Sequence, residues 1–344
     1  MTGLRITVLP GDGIGPEVVA QALAVLDAVA PEVEVDVLDR VNATTFARTG
    51  AALTDDDLAR IRASDALLLG AIGDPSVRSP DYARGVLLRL RFELDLYVNQ
   101  RPAVLLHARL SPLRDPARRG IDCVIVRENT EGAYTGIGGT LRKWTPHETA
   151  IDADVSTYHG VSRVIEHAFR IARREVCVVD KANAVPFGGE LWQRCWREAA
   201  GRHPGIATSH LYVDVAAMTL VSDPTRFDVV VASNAHGDIL SDVAAAVAGG
   251  LGAAPSANLD PATGFGLYEP VHGSAPDIAG TGVANPLGAI ASLAMLLADH
   301  GHEDQAQAIQ TAIRSTVDKR RCTPDLGGAL TTEQAAAAVI AELA

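Results

Sequence analysis

The sequence is poor in cysteine, carries no excess of positive charge and has no long uninterrupted apolar run. Each shortage closes off a class of protein. Only four of its 344 residues are cysteines: Cys123, Cys177, Cys195 and Cys322. No two form a C-x-x-C pair. Cys123 and Cys177 lie in the apolar runs DCVIV and VCVV, where cysteine behaves as a small buried hydrophobe. Reduced structural thiols are therefore expected. The formal net charge of −12 argues against nucleic acid as a partner, because phosphate binding needs a basic field. Gly, Pro or charge interrupts the longest apolar stretches, so no membrane span is expected. No basic segment precedes an apolar one at the start, so no signal peptide is expected and the cytoplasm is the default compartment. Internal repeats and low-complexity linkers are also missing.

What is present is a globular composition, 47% hydrophobic and 21% charged, in a chain long enough for about two domains. Short β-rich apolar runs alternate with helical patterns. The strand candidates are Leu4–Leu9, Val33–Leu38, Ala66–Ile72, Cys123–Arg127, Val176–Val179 and Val229–Ala232. The helical candidates are Glu17–Ala30, Val155–Arg173, Phe187–Ala200, Ile239–Val247, Gly288–Asp299 and Thr332–Leu343. Such alternation predicts an α/β protein with a mostly parallel sheet. The glycine-rich segment Gly132–Val155 breaks the pattern and reads as an antiparallel hairpin arm, suited to subunit pairing.

The segment PGDGIGPE follows a strand and opens a helix, which invites a dinucleotide-binding reading. Its glycines, Gly11, Gly13 and Gly15, place the third one position early for G-x-G-x-x-G. A tight glycine turn into a helix is the plainer reading.

The strongest local pattern is Asn234-Ala-His-Gly-Asp238-Ile-Leu-Ser-Asp242. Carboxylates at i and i+4 project from one helix face and can share a cation. Hard oxygen ligands suit Mg²⁺ or Mn²⁺; a solvated acidic helix start is the alternative. Asp214, closing the apolar run LYVD, reads as a strand-end carboxylate. His236 has no second His or Cys spaced to help it bind zinc, so a role supporting the ligands from behind, or in packing, is favoured. Arg91, Arg101 and Arg127 each flank an apolar segment, and guanidinium groups grip carboxylates bidentately, although any one of them could equally be a surface ion pair. Lys181 follows the apolar run VCVVD and is a candidate base. Tyr134, in EGAYTG, is a candidate proton donor. The ordinary alternatives are a lysine paired with Asp180 or Asp214, and a packing tyrosine.

These segments resemble a known family, the β-decarboxylating dehydrogenases that act on isocitrate, isopropylmalate and related malates. The matching stretches are LPGDGIGPEV, ALLLGAIGDPSV, GVLLRLRFELDLYVNQRPA, VIVRENTEGAYTG, VDKANAV, YVDVAAM, RFDVVVASNAHGDILSD and EPVHGSAPDIAGTGVANP, in the family's order. The resemblance implies a two-domain isopropylmalate/isocitrate dehydrogenase-like fold, with residues 1–98 and 248–344 in one domain and 99–247 in the other. It implies nucleotide binding without a Rossmann fold, and a β-arm for dimerisation. Arg91, Arg101 and Arg127 would clamp the malate carboxylates. Asp238 and Asp242 would bind Mg²⁺ or Mn²⁺, joined by Asp214 from a second copy. Lys181, also from the second copy, would take the C2 hydroxyl proton, and Tyr134 would protonate the product carbon. Ile14, Asn183, Glu269, His272, Gly273, Ser274, Ala275, Asp277 and Asn285 would contact the cofactor. Asp277 at the ribose hydroxyls would favour NAD over NADP by repelling a 2′-phosphate.

The C3 substituent separates the members of the family. Here the helix before Arg91 offers Leu87 and Leu88, and an unpaired carboxylate beside them would be costly to desolvate. An isopropyl group is therefore expected, making 3-isopropylmalate the substrate of a homodimer with shared active sites. Ala184 stands where isopropylmalate enzymes usually carry Val, and His236 where they carry Phe. The alternatives are a dehydrogenase for another 3-alkyl- or 3-arylmalate, or a non-catalytic metabolite-binding relative.

Overall fold

The structure, a computed structural model, describes residues 3–343. The chain divides into two compact units: Met1–Leu96 with Val104–Arg114 and Ala245–Ala344, and Tyr97–Ala103 with Asp115–Ala244.

In the first unit the strands run in the order Glu34–Val37, Arg5–Gly11, Ala66–Ala71, Phe265–Pro270, Pro255–Asp260. The first four are parallel, and the last pairs antiparallel with its neighbour, Ala257 opposite Tyr268. All six residues of Ala66–Ala71 are buried, as befits a central parallel strand covered on both faces. Successive side chains point opposite ways. Ala66 and Leu68 join Ile6, Val8 and the helices Gly15–Val29, Leu287–Asp299 and Glu303–Asp318 on one face. Leu67 and Leu69 join Leu9, Leu58, Ile61, Tyr82 and Leu90 on the other.

In the second unit the order is Val98–Val104, Asp122–Glu128, Val229–Ala232, Glu175–Asp180, Ala207–Tyr212. Val230 lies opposite Ile125 on one side and Cys177 on the other, all parallel, and Glu175–Asp180 continues parallel into Ala207–Tyr212. Helix Tyr158–Ile171 packs on this sheet through Val161, Val164, Ile165 and Ala168. The hairpin arm is present: Gly138–Leu141 pairs antiparallel with Thr149–Asp152, and a Gly132–Val155 bridge closes its base.

Several sequence boundaries need correction. The helix expected from Val155 starts at Tyr158, because Val155 is taken by the bridge and the Thr157 side chain caps the first turn, accepting from Gly160 N–H. The helix expected from Ile239 starts at Asn234. Asp214 lies not at a strand end but in the first turn of helix Val213–Ser222, directly after strand Ala207–Tyr212. Strands Val98–Val104, Pro255–Asp260 and Phe265–Pro270 were not anticipated. All four cysteines are buried and unpaired. No helix among the described residues is long and apolar enough to cross a membrane.

Candidate active site

Three candidate residues, with Asn234, stand at or just past the C-terminal ends of neighbouring parallel strands, where α/β folds place their ligands. Arg127 is near the end of Asp122–Glu128. Asn234 follows Val229–Ala232, Lys181 follows Glu175–Asp180, and Asp214 follows Ala207–Tyr212. Arg101 projects from Val98–Val104.

The second unit gathers five of the expected residues into one cluster. Asp238 and Asp242 lie one turn apart on helix Asn234–Val247. Arg101 Nη1 is 3.6 Å from Asp238 Oδ1 and 3.4 Å from Asp242 Oδ1, and it donates to Ser241 Oγ at 2.9 Å. Arg127, almost fully buried, is ion-paired with Asp238 and donates from Nε to Asn234 Oδ1 at 2.9 Å. The Tyr134 hydroxyl donates to Asp238 Oδ2 at 3.3 Å, and its ring lies 5.5 Å from the Arg127 guanidinium. Partial desolvation raises the Asp242 carboxyl above its ordinary range; Asp238 adds to the rise, while Arg101 and Arg127 oppose it.

The sequence reading missed the parts that hold this cluster. Asn234 is a two-way tether, accepting from Arg127 and donating to Glu131 O at 2.8 Å. Gly237 leaves the space that Arg127 fills, since a Cβ there would stand 2.6 Å from Arg127 Cβ. Both lie in the NAHGD motif, whose sequence draws attention to its carboxylates and histidine first.

The cluster can hold a divalent cation and an anion side by side. Two hard carboxylates share a helix face, with two guanidinium groups behind them. The buried Arg101 Nε has no partner among the described residues, so a donor is left for an anionic ligand. Among the described residues, no three His, Cys, Asp or Glu side chains of one chain assemble into a metal site. Asp214 instead pairs with Lys181, and that ammonium holds its carboxyl below the usual range. The Lys181 ammonium also lies 5.8 Å from the Tyr212 ring. Asn183 and Ala184 are exposed on the turn after Lys181. His236 lines a cavity with Asp154, Asp180 and Lys181. Its buried Nδ1 has no partner among the described residues, and burial lowers its basicity.

The remaining expected residues lie in the first unit. Leu87 and Leu88 end a π-helical turn, Arg84–Leu88, that leads into the helix Arg89–Glu93 carrying Arg91. Turns of this kind concentrate at functional sites. Leu87 also packs on the apolar core. Arg91 Nη2 lies 3.8 Å from Glu269 Oε1, and Asn258 donates to the same oxygen at 2.8 Å.

The glycine turn proves to be a support for the His272–Asp277 loop. Ile14 N–H donates to Ser274 O at 2.8 Å. A Cβ on Gly13, which has φ +56°, would stand 2.0 Å from that same carbonyl oxygen. Asp12 ties the neighbourhood together, accepting from Ala43 N, Gly73 N and the Tyr82 hydroxyl at 2.7, 2.8 and 2.6 Å. In the loop, His272 Nδ1 meets Gly273 O at 2.9 Å, while its buried Nε2 has no partner among the described residues. Burial lowers the basicity of this ring. Gly273 and Asp277 are exposed, and Ala275 adopts φ +37°. An orphaned imidazole nitrogen in a loop that also exposes a carboxylate fits a polar ligand. The Asn285 side chain is occupied internally, accepting from Leu287 N and donating to Asp325.

Comparison with known proteins agrees with this geometry. The sequence model of the family described as isocitrate/isopropylmalate dehydrogenase matches residues 5–340. A 3-isopropylmalate dehydrogenase of Corynebacterium glutamicum is 50% identical over 323 residues, covering 92% of this chain and 94% of that protein. One from Streptomyces coelicolor is 47% identical over 340 residues, covering 95% and 97%. Among solved structures, the isocitrate dehydrogenase from Methylococcus capsulatus superposes with a TM-score of 0.89 at 36% identity, over 99% of both chains. The β-decarboxylating dehydrogenase from Thermococcus kodakarensis gives 0.82 at 39%, over 99% of this chain and 96% of that one.

Proposed function

This chain belongs to the isocitrate/isopropylmalate dehydrogenase family, and on that footing we propose that it oxidises and decarboxylates 3-isopropylmalate to 2-oxoisocaproate, with NAD⁺ as oxidant, in leucine biosynthesis. One observation carries the site assignment: Arg101, Arg127 and Tyr134 converge on Asp238 and Asp242.

Each residue has a task that its chemistry allows. Arg101 and Arg127 bind the substrate carboxylates bidentately, and Arg91 is assigned to the same work. Asp238 and Asp242, with Asp214 of a second copy, are the residues that would hold Mg²⁺ or Mn²⁺. When bound, that cation supplies Lewis acidity to the substrate and NAD⁺ supplies the hydride acceptor. Lys181 Nζ takes the C2 hydroxyl proton as the C2 hydrogen departs as hydride. A lysine is a base only as the free amine, so Asp214 must be engaged elsewhere before Lys181 can act. The bond between C3 and its carboxylate then breaks, CO₂ leaves, and the Tyr134 phenol delivers a proton to C3.

Loop residues Glu269, His272, Gly273, Ser274, Ala275, Asp277 and Asn285, with Ile14 and Asn183, are assigned to the nucleotide. The exposed Asp277 supports NAD over NADP, because its carboxylate would repel a 2′-phosphate. The homodimer is supported by apolar side chains left in solvent: Ile137, Leu141, Trp144 and Ile151 on the arm, and Met218 and Val221 on the helix that carries Asp214. The cytoplasm is the compartment that fits such a biosynthetic role.

The test is NADH formation from a panel of 3-substituted malates with Mn²⁺, run with NAD⁺ and with NADP⁺. Turnover should be fastest with 3-isopropylmalate and NAD⁺. Preference for isocitrate, or for a 3-arylmalate, would reassign the substrate. Turnover with none of them would overturn the catalytic reading.

A further inference from the structure

We propose that Asp180 is a positioning residue for Lys181: its buried carboxylate fixes the turn from which Lys181 and Asn183 project. The inference rests on the reading of Lys181 as the base.

Asp180 is the last residue of strand Glu175–Asp180 and only 5% exposed. A carboxylate so deeply placed is costly unless its oxygens are satisfied. Oδ1 accepts Ala182 N–H at 3.0 Å, and Oδ2 accepts the Gln193 side-chain amide at 3.2 Å. His210 Nε2 lies 2.9 Å from Oδ1, out of line for a hydrogen bond. The carboxylate thus reaches forward into the turn, sideways to helix Pro186–Arg202 and across to strand Ala207–Tyr212.

The turn needs such a tether because little else holds it. Ala184 N and Val185 N both donate to Lys181 O, at 2.9 and 2.8 Å, so the turn closes on itself. It approaches the helix closely at Gly189, where a Cβ would stand 2.4 Å from Ala182 Cα. Beyond that point Lys181 and Val185 form part of the wall of a cavity lined also by Asp154, Ser156, Trp192 and His236. Residues 183–187 face solvent. A segment between a cavity and water gains little from dispersion contacts, so directed bonds set its position.

The same carboxylate couples the turn to the lysine's other neighbours. The His210 ring is stacked on Trp196 at 5.7 Å and meets the edge of Tyr212 at 5.2 Å. Tyr212 in turn faces the Lys181 ammonium and immediately precedes the helix bearing Asp214. Asp180 therefore anchors Lys181 in register with Asp214, and a displacement of about 1 Å in a reacting group costs on the order of 100-fold in rate.

The experiment compares Asp180→Ala, Asp180→Asn, Gln193→Leu and Lys181→Met in the full-length enzyme. For Asp180→Ala, kcat should fall by about 100-fold, with KM for 3-isopropylmalate changed less than about threefold, since the arginines are untouched, while KM for NAD⁺ should rise as Asn183 shifts with the turn. The deuterium isotope effect on kcat with C2-deuterated substrate should rise as the oxidation step becomes limiting. Asp180→Asn keeps an oxygen for Ala182 N–H and should recover most of the rate. Gln193→Leu should lower kcat by a few-fold, and it keeps the question open to test even if Asp180→Ala does not fold. Wild-type kcat in the folded Asp180 variants, with Lys181→Met inactive, overturns this proposal alone. Full activity in Lys181→Met overturns both it and the reading of Lys181 as the base.

Discussion

Gly237 and Arg127 occupy one volume: the space a side chain would take on Gly237 is filled by the aliphatic stem of Arg127, 2.6–2.8 Å from the position of the missing Cβ. Glycine inside a helix normally costs about 1 kcal/mol against alanine, so Gly237→Ala should stabilise an ordinary helix. Here the overlap outweighs that gain, because overpacking costs roughly 1–3 kcal/mol and the guanidinium must move off Asp238 and Asn234. Gly237→Ala is expected to lower kcat/KM by at least about tenfold, the discrimination expected from about 1.4 kcal/mol. Its melting temperature should fall slightly or stay level. Steady-state rates and thermal melts together decide, and a more stable variant with unchanged kcat/KM would contradict the packing argument.

Among the described residues Asp242 has no ion pair besides its contact with Arg101, and Asp238 is the carboxylate held by Arg127 and Tyr134. The carboxylate that most needs a cation is therefore Asp242, which Asp238 also repels. Chelation with EDTA should abolish turnover, and Mn²⁺ should restore it. Saturating the wild type at 100 times Kd should stabilise it by about 2.7 kcal/mol. Asp242→Asn should weaken Mn²⁺ binding by at least about tenfold while leaving the fold intact, because a neutral amide is a poorer ligand for a hard cation. Titration followed by the Mn²⁺ paramagnetic signal measures this directly, and equal affinities would remove Asp242 from the proposed ligand set.

These two residues show what the sequence made legible and what it hid. The i, i+4 spacing of Asp238 and Asp242 is a local property, and helix geometry alone brings them together. The helix begins at Asn234, ahead of the expected Ile239, and takes in Gly237, whose small size serves Arg127 from another strand. Strand Val98–Val104 was overlooked because Gln100, Arg101 and Pro102 interrupt its apolar pattern. Asp214 was put at a strand end because LYVDVAAM is one apolar run, and strand and helix cannot be separated there by periodicity. The glycine turn is the sharpest case. Its near-miss spacing was readable, but its task depends on the Ser274 carbonyl, which only the folded chain brings alongside.

His167 provides a pH signature of folding that is separate from catalysis. It is 7% exposed, its Nε2 lies 3.1 Å from Gln100 Oε1, and burial, helped by Arg170, pushes it down to about 4. In the unfolded chain an imidazole titrates near 6.5. Between those values the unfolded chain takes up a proton that the folded chain refuses. Stability therefore falls as pH drops from about 6.5 towards about 4, by a total on the order of 3 kcal/mol, and this contribution levels off below. Asp228 loses its contribution only at lower pH: despite its burial, the backbone N–H groups of Arg174 and Glu175 hold it below the ordinary carboxylate range. Urea midpoints measured from pH 4 to 7 should slope steeply in the wild type and less in His167→Gln. Parallel slopes would show that this ring does not carry the effect.

Lys181 and Asp214 pair with each other in one chain, while Arg101, Arg127, Tyr134, Asp238 and Asp242 form the other half of the chemistry. If a second copy supplies Lys181 and Asp214, then Lys181→Met and Tyr134→Phe damage different sites of a hybrid dimer. Each hybrid keeps one site with Tyr134 from one chain and Lys181 from the other, and its second site lacks both. Random pairing of equal amounts makes half of the dimers hybrid, so co-expression should restore up to about a quarter of wild-type activity from two inactive variants. Restoration requires exchange of subunits, so the purified variants mixed without refolding should remain inactive. If the two halves met within one chain instead, no mixture would recover activity. Leu141→Asp and Ile151→Asp on the exposed arm should act in the same direction by a separate route, weakening the dimer and losing activity together, with sedimentation and NADH formation followed on the same samples.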